Sequence, residues 1–209
     1  MYRVNICDSV VLVRKQCAQA VAPATPAPPA PTTSPTSATG DPHMQNVYGQ
    51  RFDLMRPGRF LLINVPRGSV GEDALLVVEA DARQLGGHCA DMYFQEVNIT
   101  GAWVEKIQRG GFFYDVSAVR EPRARWDKFG PVELKIAHGL TNTGVRYLNL
   151  YAKHLGKTGL AVGGLLGEDD HAEAATPTQD CQQTMSLKRA TRRNGASRGE
   201  ASVAIGSSA

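Results

Sequence analysis

The sequence predicts an all-β domain, an antiparallel β-sandwich, set between a disordered N-terminal linker and a disordered C-terminal tail. Three observations lead there. Between residues 50 and 166 the apolar residues fall in short runs separated by Gly, Pro and Asn, with no sustained helical period. Several of those runs alternate strictly: Val132, Leu134 and Ile136 share one face while Glu133 and Lys135 take the other. Outside this region the composition changes abruptly, to Pro/Ala/Thr before it and to polar and basic residues after it.

Along the chain, residues 1–21 form a short mixed segment of undecided structure. Residues 22–39, "APATPAPPAPTTSPTSAT", cannot bury enough apolar surface to offset the entropy of ordering and are expected to be an extended linker. The β domain is expected over residues 40–181, with strands at 51–55, 59–65, 74–82, 92–99, 112–116, 132–137, 145–152 and 160–165. In the run 145–152, Tyr147, Asn149 and Tyr151 alternate with Leu148 and Leu150, and both faces read as partly buried. Residues 182–209 read as a solvated basic tail.

Composition narrows the function. The apolar and charged fractions, 42% and 21%, are those of a chain able to pack a core. The net charge is +3, but Lys188, Arg189, Arg192, Arg193 and Arg198 against Glu200 place +4 at the C-terminal end, leaving −1 for the rest. A near-neutral body speaks against a nucleic-acid-binding domain, which carries its charge on a folded face. No run approaches the ~18 apolar residues of a membrane-spanning helix. Val10 to Val13 is too short for the apolar centre of a signal peptide. The cysteines Cys7, Cys17, Cys89 and Cys181 show no metal spacing, and allow either two disulfides in any of three pairings or free thiols.

Three stretches could carry chemistry, and two others are set aside. In Gly40-Asp41-Pro42-His43 the Asp41 carboxylate can attack its own carbonyl carbon, closing a five-membered anhydride and expelling the Pro42 nitrogen. His43 stands next in sequence to protonate that nitrogen or to orient the carbonyl. Gly40 would admit an unusual backbone conformation, and the same residues are also plain turn formers. Further on, Glu168, Asp169 and Asp170 follow a Gly-rich strand end and could offer oxygen ligands to Ca²⁺, though not with EF-hand spacing. Asn98-Ile99-Thr100 is a glycosylation sequon, meaningful in a secreted chain. His88 beside Cys89 lacks the partners of a Cys/His protease. Trp103 and Trp126, with Phe112, Phe113 and Tyr114, read as sheet aromatics without interleaved basic residues.

Taken together, "GDPHMQNVYGQRFDLMRPGRFLLINV" resembles the opening of a von Willebrand factor type D domain. Gly40 to His43, the aromatic strand at Val47-Tyr48-Gly49, Arg51-Phe52-Asp53, the Pro57-Gly58 turn and the hydrophobic strand 60–65 match that family's elements in order. Gly164-Leu165-Leu166-Gly167-Glu168 with Asp169 and Asp170 resembles its close, and is nearer to the Gly-Leu-Leu-Gly of inter-alpha-trypsin inhibitor heavy chains. In that group, in some gel-forming mucins and in repulsive guidance molecules, the Asp-Pro bond cuts itself and sometimes leaves an ester cross-link. The resemblance implies Asp41 as the cleavage residue, Pro42 as the new N-terminus and His43 as the assisting group. It also implies a Cys89–Cys181 disulfide, and a calcium loop that lacks the family's first-strand Asp, replaced by Tyr48, and its Asn, replaced by Glu168. The cysteine-rich modules that accompany the domain in polymerising relatives are absent from this sequence.

The expectation is therefore a non-enzymatic, extracellular or cell-surface adhesion and matrix-interaction module with a protein or glycan partner, no nucleic acid, no transmembrane segment, and no cofactor beyond Ca²⁺ at the acidic loop. The alternative is a self-processing domain that cleaves Asp41–Pro42. A second alternative is an intracellular β-sandwich with free thiols, separable from the other two by thiol counting under denaturing, non-reducing conditions.

Overall fold

A computed structural model describes residues 35–40, 42–86, 91–117 and 125–182. The expected all-β antiparallel architecture is what it shows. The strands are β1 Thr36–Thr39, β2 His43–Gln45, β3 Arg51–Asp53, β4 Gly58–Val65, β5 Leu76–Gln84, β6 Met92–Thr100, β7 Phe112–Asp115, β8 Asp127–Phe129, β9 Val132–Leu140 and β10 Arg146–Lys153. A short helix, α1 Ala102–Glu105, follows β6. Among the described residues no helix is long and apolar enough to cross a membrane.

All ten strands belong to one hydrogen-bonded sheet with the main path β3-β2-β1-β10-β6-β5-β4. The path has two branches, β7 on β6 and β9–β8 on β10. The two halves meet where β10 touches β6 through the pair Leu148–Phe94. On either side of that seam each strand pairs with a different neighbour: β10 continues along β1, and β6 continues along β7. The sheet therefore curls around a single core into a half-barrel.

The core follows from alternation. Leu76, Val78, Ala80 and Ala82 of β5, Val132, Leu134 and Ile136 of β9, and Leu148, Leu150 and Ala152 of β10 are all buried. Burying each large aliphatic side chain contributes roughly 1.5–3 kcal/mol. Asn149, between Leu148 and Leu150 on the opposite face, is only 9% exposed, so β10 is covered on both faces.

The structure corrects several expectations. The linker expected through Thr39 ends sooner, because Thr36–Thr39 is a strand inserted between β10 and β2. Its inward residues Thr36 and Ala38 are small enough to fit an inner position, and the Pro-rich composition around them hid the strand. Val47, Tyr48 and Gly49 form the loop between β2 and β3 in place of a strand. The Asn46 side-chain oxygen there accepts the Tyr48 and Gln50 N–H groups at 3.1 and 3.0 Å, which closes the turn. The 160–165 run is not a strand. Gly164 takes φ +86° and breaks the pleat, leaving a segment that borders β4 through the bridge Asn64–Gly163 and through the Leu165 and Leu166 N–H groups, which donate to the Leu61 and Leu62 carbonyls. The strand expected from residue 74 begins at Leu76, after a 3₁₀ turn at Gly71–Asp73, and β8 and α1 were not expected.

Candidate functional site

The Gly40-Asp41-Pro42-His43 stretch is the hairpin between β1 and β2. Thr39 pairs with His43, so the connection is the three residues 40–42. Asp41 itself lies outside the described residues, but both of its neighbours are fixed. Gly40 adopts φ +68°, a conformation that favours glycine. Its N–H donates to Asn149 Oδ1 at 2.8 Å, reaching across to the buried side chain of β10. Pro42 is buried, and its carbonyl accepts the Leu54 N–H at 3.2 Å. Gly40 and Pro42, the two neighbours of Asp41, are therefore anchored to the sheet.

His43 opens β2 and faces outward, while Met44 beside it is buried. Pairing of β2 with β3 brings Asp53 directly opposite His43, and Nδ1 of the imidazole lies 2.6 Å from Asp53 Oδ1. Both side chains are largely exposed, 71% and 60%. An imidazole held at Nδ1 by a carboxylate has a fixed ring orientation and leaves Nε2 for proton exchange. Thr39, His43, Asp53 and Arg51 border a hollow of ≈450 Å³ on this face. Beneath it Phe52 stacks on His171 at 4.0 Å between ring centres, which fastens β3 to the C-terminal segment. Asp53 and Asn149 were not foreseen as site residues. The signal for Asp53 is the register count: once residues 46–50 form the loop, 45 pairs with 51 and 43 with 53.

In the acidic loop the three carboxylates meet Arg67 and backbone N–H groups. Asp169 accepts a hydrogen bond from Arg67 Nε at 2.7 Å and another from the Gly164 N–H. Glu168 lies 3.7 Å from Arg67 Nη1, and Asp170 caps the Ala172 N–H at 2.9 Å. Arg67 thus supplies the positive charge that a cation would bring. Among the described residues no three His, Cys, Asp or Glu side chains stand close enough to hold one metal ion. The loop and the residues after the hairpin are nonetheless neighbours. The Val47 N–H donates to the Leu166 carbonyl at 2.9 Å, and burial, then the Glu168 carboxylate, push the Tyr48 hydroxyl above its ordinary range.

The remaining expected residues are dispersed. Asn98 lies mid-strand in β6, on the outer face between Glu79 and Phe113. Cys181 is buried and disulfide-bonded. Cys89, the partner that the resemblance implies, lies outside the described residues, as do Cys7, Cys17 and His88. Trp126, read as a sheet aromatic without interleaved basic residues, acquires two basic neighbours from other strands. The Lys153 and Lys135 ammonium groups stand 3.9 and 5.3 Å from its ring centre, and Lys135 also caps Tyr151 at 4.4 Å. These lysines come from β9 and β10, so strand pairing and not spacing along one strand brings them to Trp126.

No known family's sequence model matches the chain, and no curated protein matches it significantly.

Proposed function

We propose that the chain is a von Willebrand type D-like β module whose first hairpin breaks its own Asp41–Pro42 bond in a single turnover. The observation that carries this reading is the His43–Asp53 pair, at 2.6 Å, on the residue that follows the Asp-Pro bond. Attack of the Asp41 carboxylate on its own carbonyl carbon forms a C–O bond and breaks the C–N bond to Pro42. His43 gives a proton to the departing proline nitrogen, and Asp53, hydrogen-bonded at Nδ1, holds the ring in position for that transfer. Water, or a partner's hydroxyl, opens the anhydride. Water returns a free Asp41 carboxyl terminus; a hydroxyl leaves an ester. The anchors on Gly40 and Pro42 favour this route by limiting the loop's freedom to swing the two groups apart. The test is the intact mass of freshly purified protein at neutral pH, without acid or heat, beside an Asp41→Ala variant. A fragment starting at Pro42 in the parent and missing from the variant supports the reading. A single full-length mass in both removes it.

A second reading, extracellular adhesion without processing, is favoured by a separate feature. A groove of ≈870 Å³ lies on the outer face of β4, β5 and β6, with Val70 77% exposed at its edge. The disulfide at Cys181 suits an oxidising compartment.

A further inference from the structure

The outer face of the β4–β7 half differs in character from the hairpin face. Leu61 and Val77 form an apolar floor to the groove and Val70 an apolar edge, and Leu61 and Val70 remain 37% and 77% exposed. Glu72, Glu79 and Glu105 line the same groove, Glu79 directly opposite Leu61 in the β4–β5 register. None of the three carboxylates is in an ion pair with any described residue; one oxygen of Glu105 accepts the Gly110 N–H at 3.0 Å. This contrasts with the acidic loop, where Arg67 answers Glu168 and Asp169. The groove carboxylates are also not gathered into a metal-sized cluster. Uncompensated negative charge spread around an apolar floor calls for a ligand whose charges are spread too, each joined to an apolar body.

We propose that this groove seats a peptide segment rich in Lys or Arg, the aliphatic stems covering Leu61, Val70 and Val77 and the cationic heads reaching Glu72, Glu79 and Glu105. The inference rests on the binding reading above and narrows its partner to a basic protein segment. A volume of ≈870 Å³ accommodates a few such side chains and not a folded domain, so the contact is with an extended stretch of the partner.

The experiment is fluorescence anisotropy of a dye-labelled (Arg-Gly)₄ peptide against the full chain at low and moderate salt, with (Glu-Gly)₄ as the matched probe. Expected is saturable binding of the arginine peptide that weakens with salt, falls roughly tenfold in Glu72→Gln/Glu79→Gln, and falls again in Val70→Asp. Glu133→Gln, on the other half of the sheet, leaves it unchanged. Equal binding by the double Gln variant reduces the effect to diffuse charge and overturns the proposal. Preference for the glutamate peptide overturns the partner class and leaves the binding reading standing. Absence of binding by either peptide removes both. Two further results also overturn it. One is a concentration-dependent mass in light scattering that Val70→Asp abolishes, which puts a second copy in the groove. The other is arginine-peptide binding that appears only after residues 185–209 are removed, which makes that basic segment the occupant.

Discussion

Replacing Asp53 by Asn separates what the His43–Asp53 pair does for the fold from what it does for the hairpin. Both partners are more than half exposed, so the pair is worth at most about 1 kcal/mol to stability once solvent screening is counted. Asn keeps the size, but it can turn its amide N–H toward Nδ1 in place of an accepting oxygen, so the ring is no longer held in one orientation. General acid catalysis by a positioned side chain contributes on the order of 10²–10⁴ in rate, and the orienting carboxylate should carry at least a tenfold share of it. The expected outcome is a urea midpoint close to that of the parent, together with at least a tenfold slower appearance of the Pro42 fragment by mass spectrometry near neutral pH. His43→Ala should slow it further. Equal scission rates in Asp53→Asn and the parent would refute the role given to Asp53. So would a loss of several kcal/mol in stability, which would mean the pair is structural.

Three other outcomes follow from packing and charge. Phe94, 1% exposed, holds the seam opposite Leu148, so Phe94→Ala should cost about 3–5 kcal/mol, read as a drop in the urea midpoint at unchanged m-value. At Gly164, φ is +86° and an added Cβ would lie 2.6 Å from the Leu62 carbonyl carbon. Gly164→Ala should therefore cost more than the ~1–2 kcal/mol of the backbone conformation alone and release the 161–167 segment from β4, seen as faster amide exchange at Leu165 and Leu166. Burial, then the Asp127 carboxylate, raise the Tyr114 hydroxyl, so the folded state holds that proton more tightly than the unfolded chain does. Its stabilising contribution is complete below about pH 10 and fades as pH climbs through the raised folded value. Tyr114→Phe should accordingly flatten the loss of melting temperature between pH 10 and 12.

The legible parts of the fold were those where one strand's own alternation decided the matter. Val132, Leu134 and Ile136 declared their inward face because Glu133 and Lys135 separate them, and both buried faces of β10 were visible in Leu148, Asn149 and Leu150. The strands that went unread, β1, β2 and β8, are three or four residues long. At that length a strand owes its existence to its neighbours, and Thr36–Thr39 is extended because β10 and β2 flank it. The site divides the same way. His43 was readable because it is adjacent to the Asp-Pro bond. Asp53 and Asn149, 10 and 106 residues further along the chain, act through hairpin register and sheet order, which no local motif spells out.

The inner position of β1 changes what a broken Asp41–Pro42 bond would look like. β1 lies on the N-terminal side of that bond, yet it is laced to β10 on one edge and to β2 on the other. Scission would therefore turn one chain into a two-part complex, with the shorter part serving as a tethered-in strand that stays seated after the covalent link is gone. Size exclusion would report an intact particle, and only a denaturing gel or mass measurement would reveal two pieces. The folded state would also acquire a new dependence, on dilution, because an intramolecular strand at high effective concentration would have become a ligand with an off-rate. A module built this way could be cut early and come apart much later, when pulling or partial unfolding frees the strand.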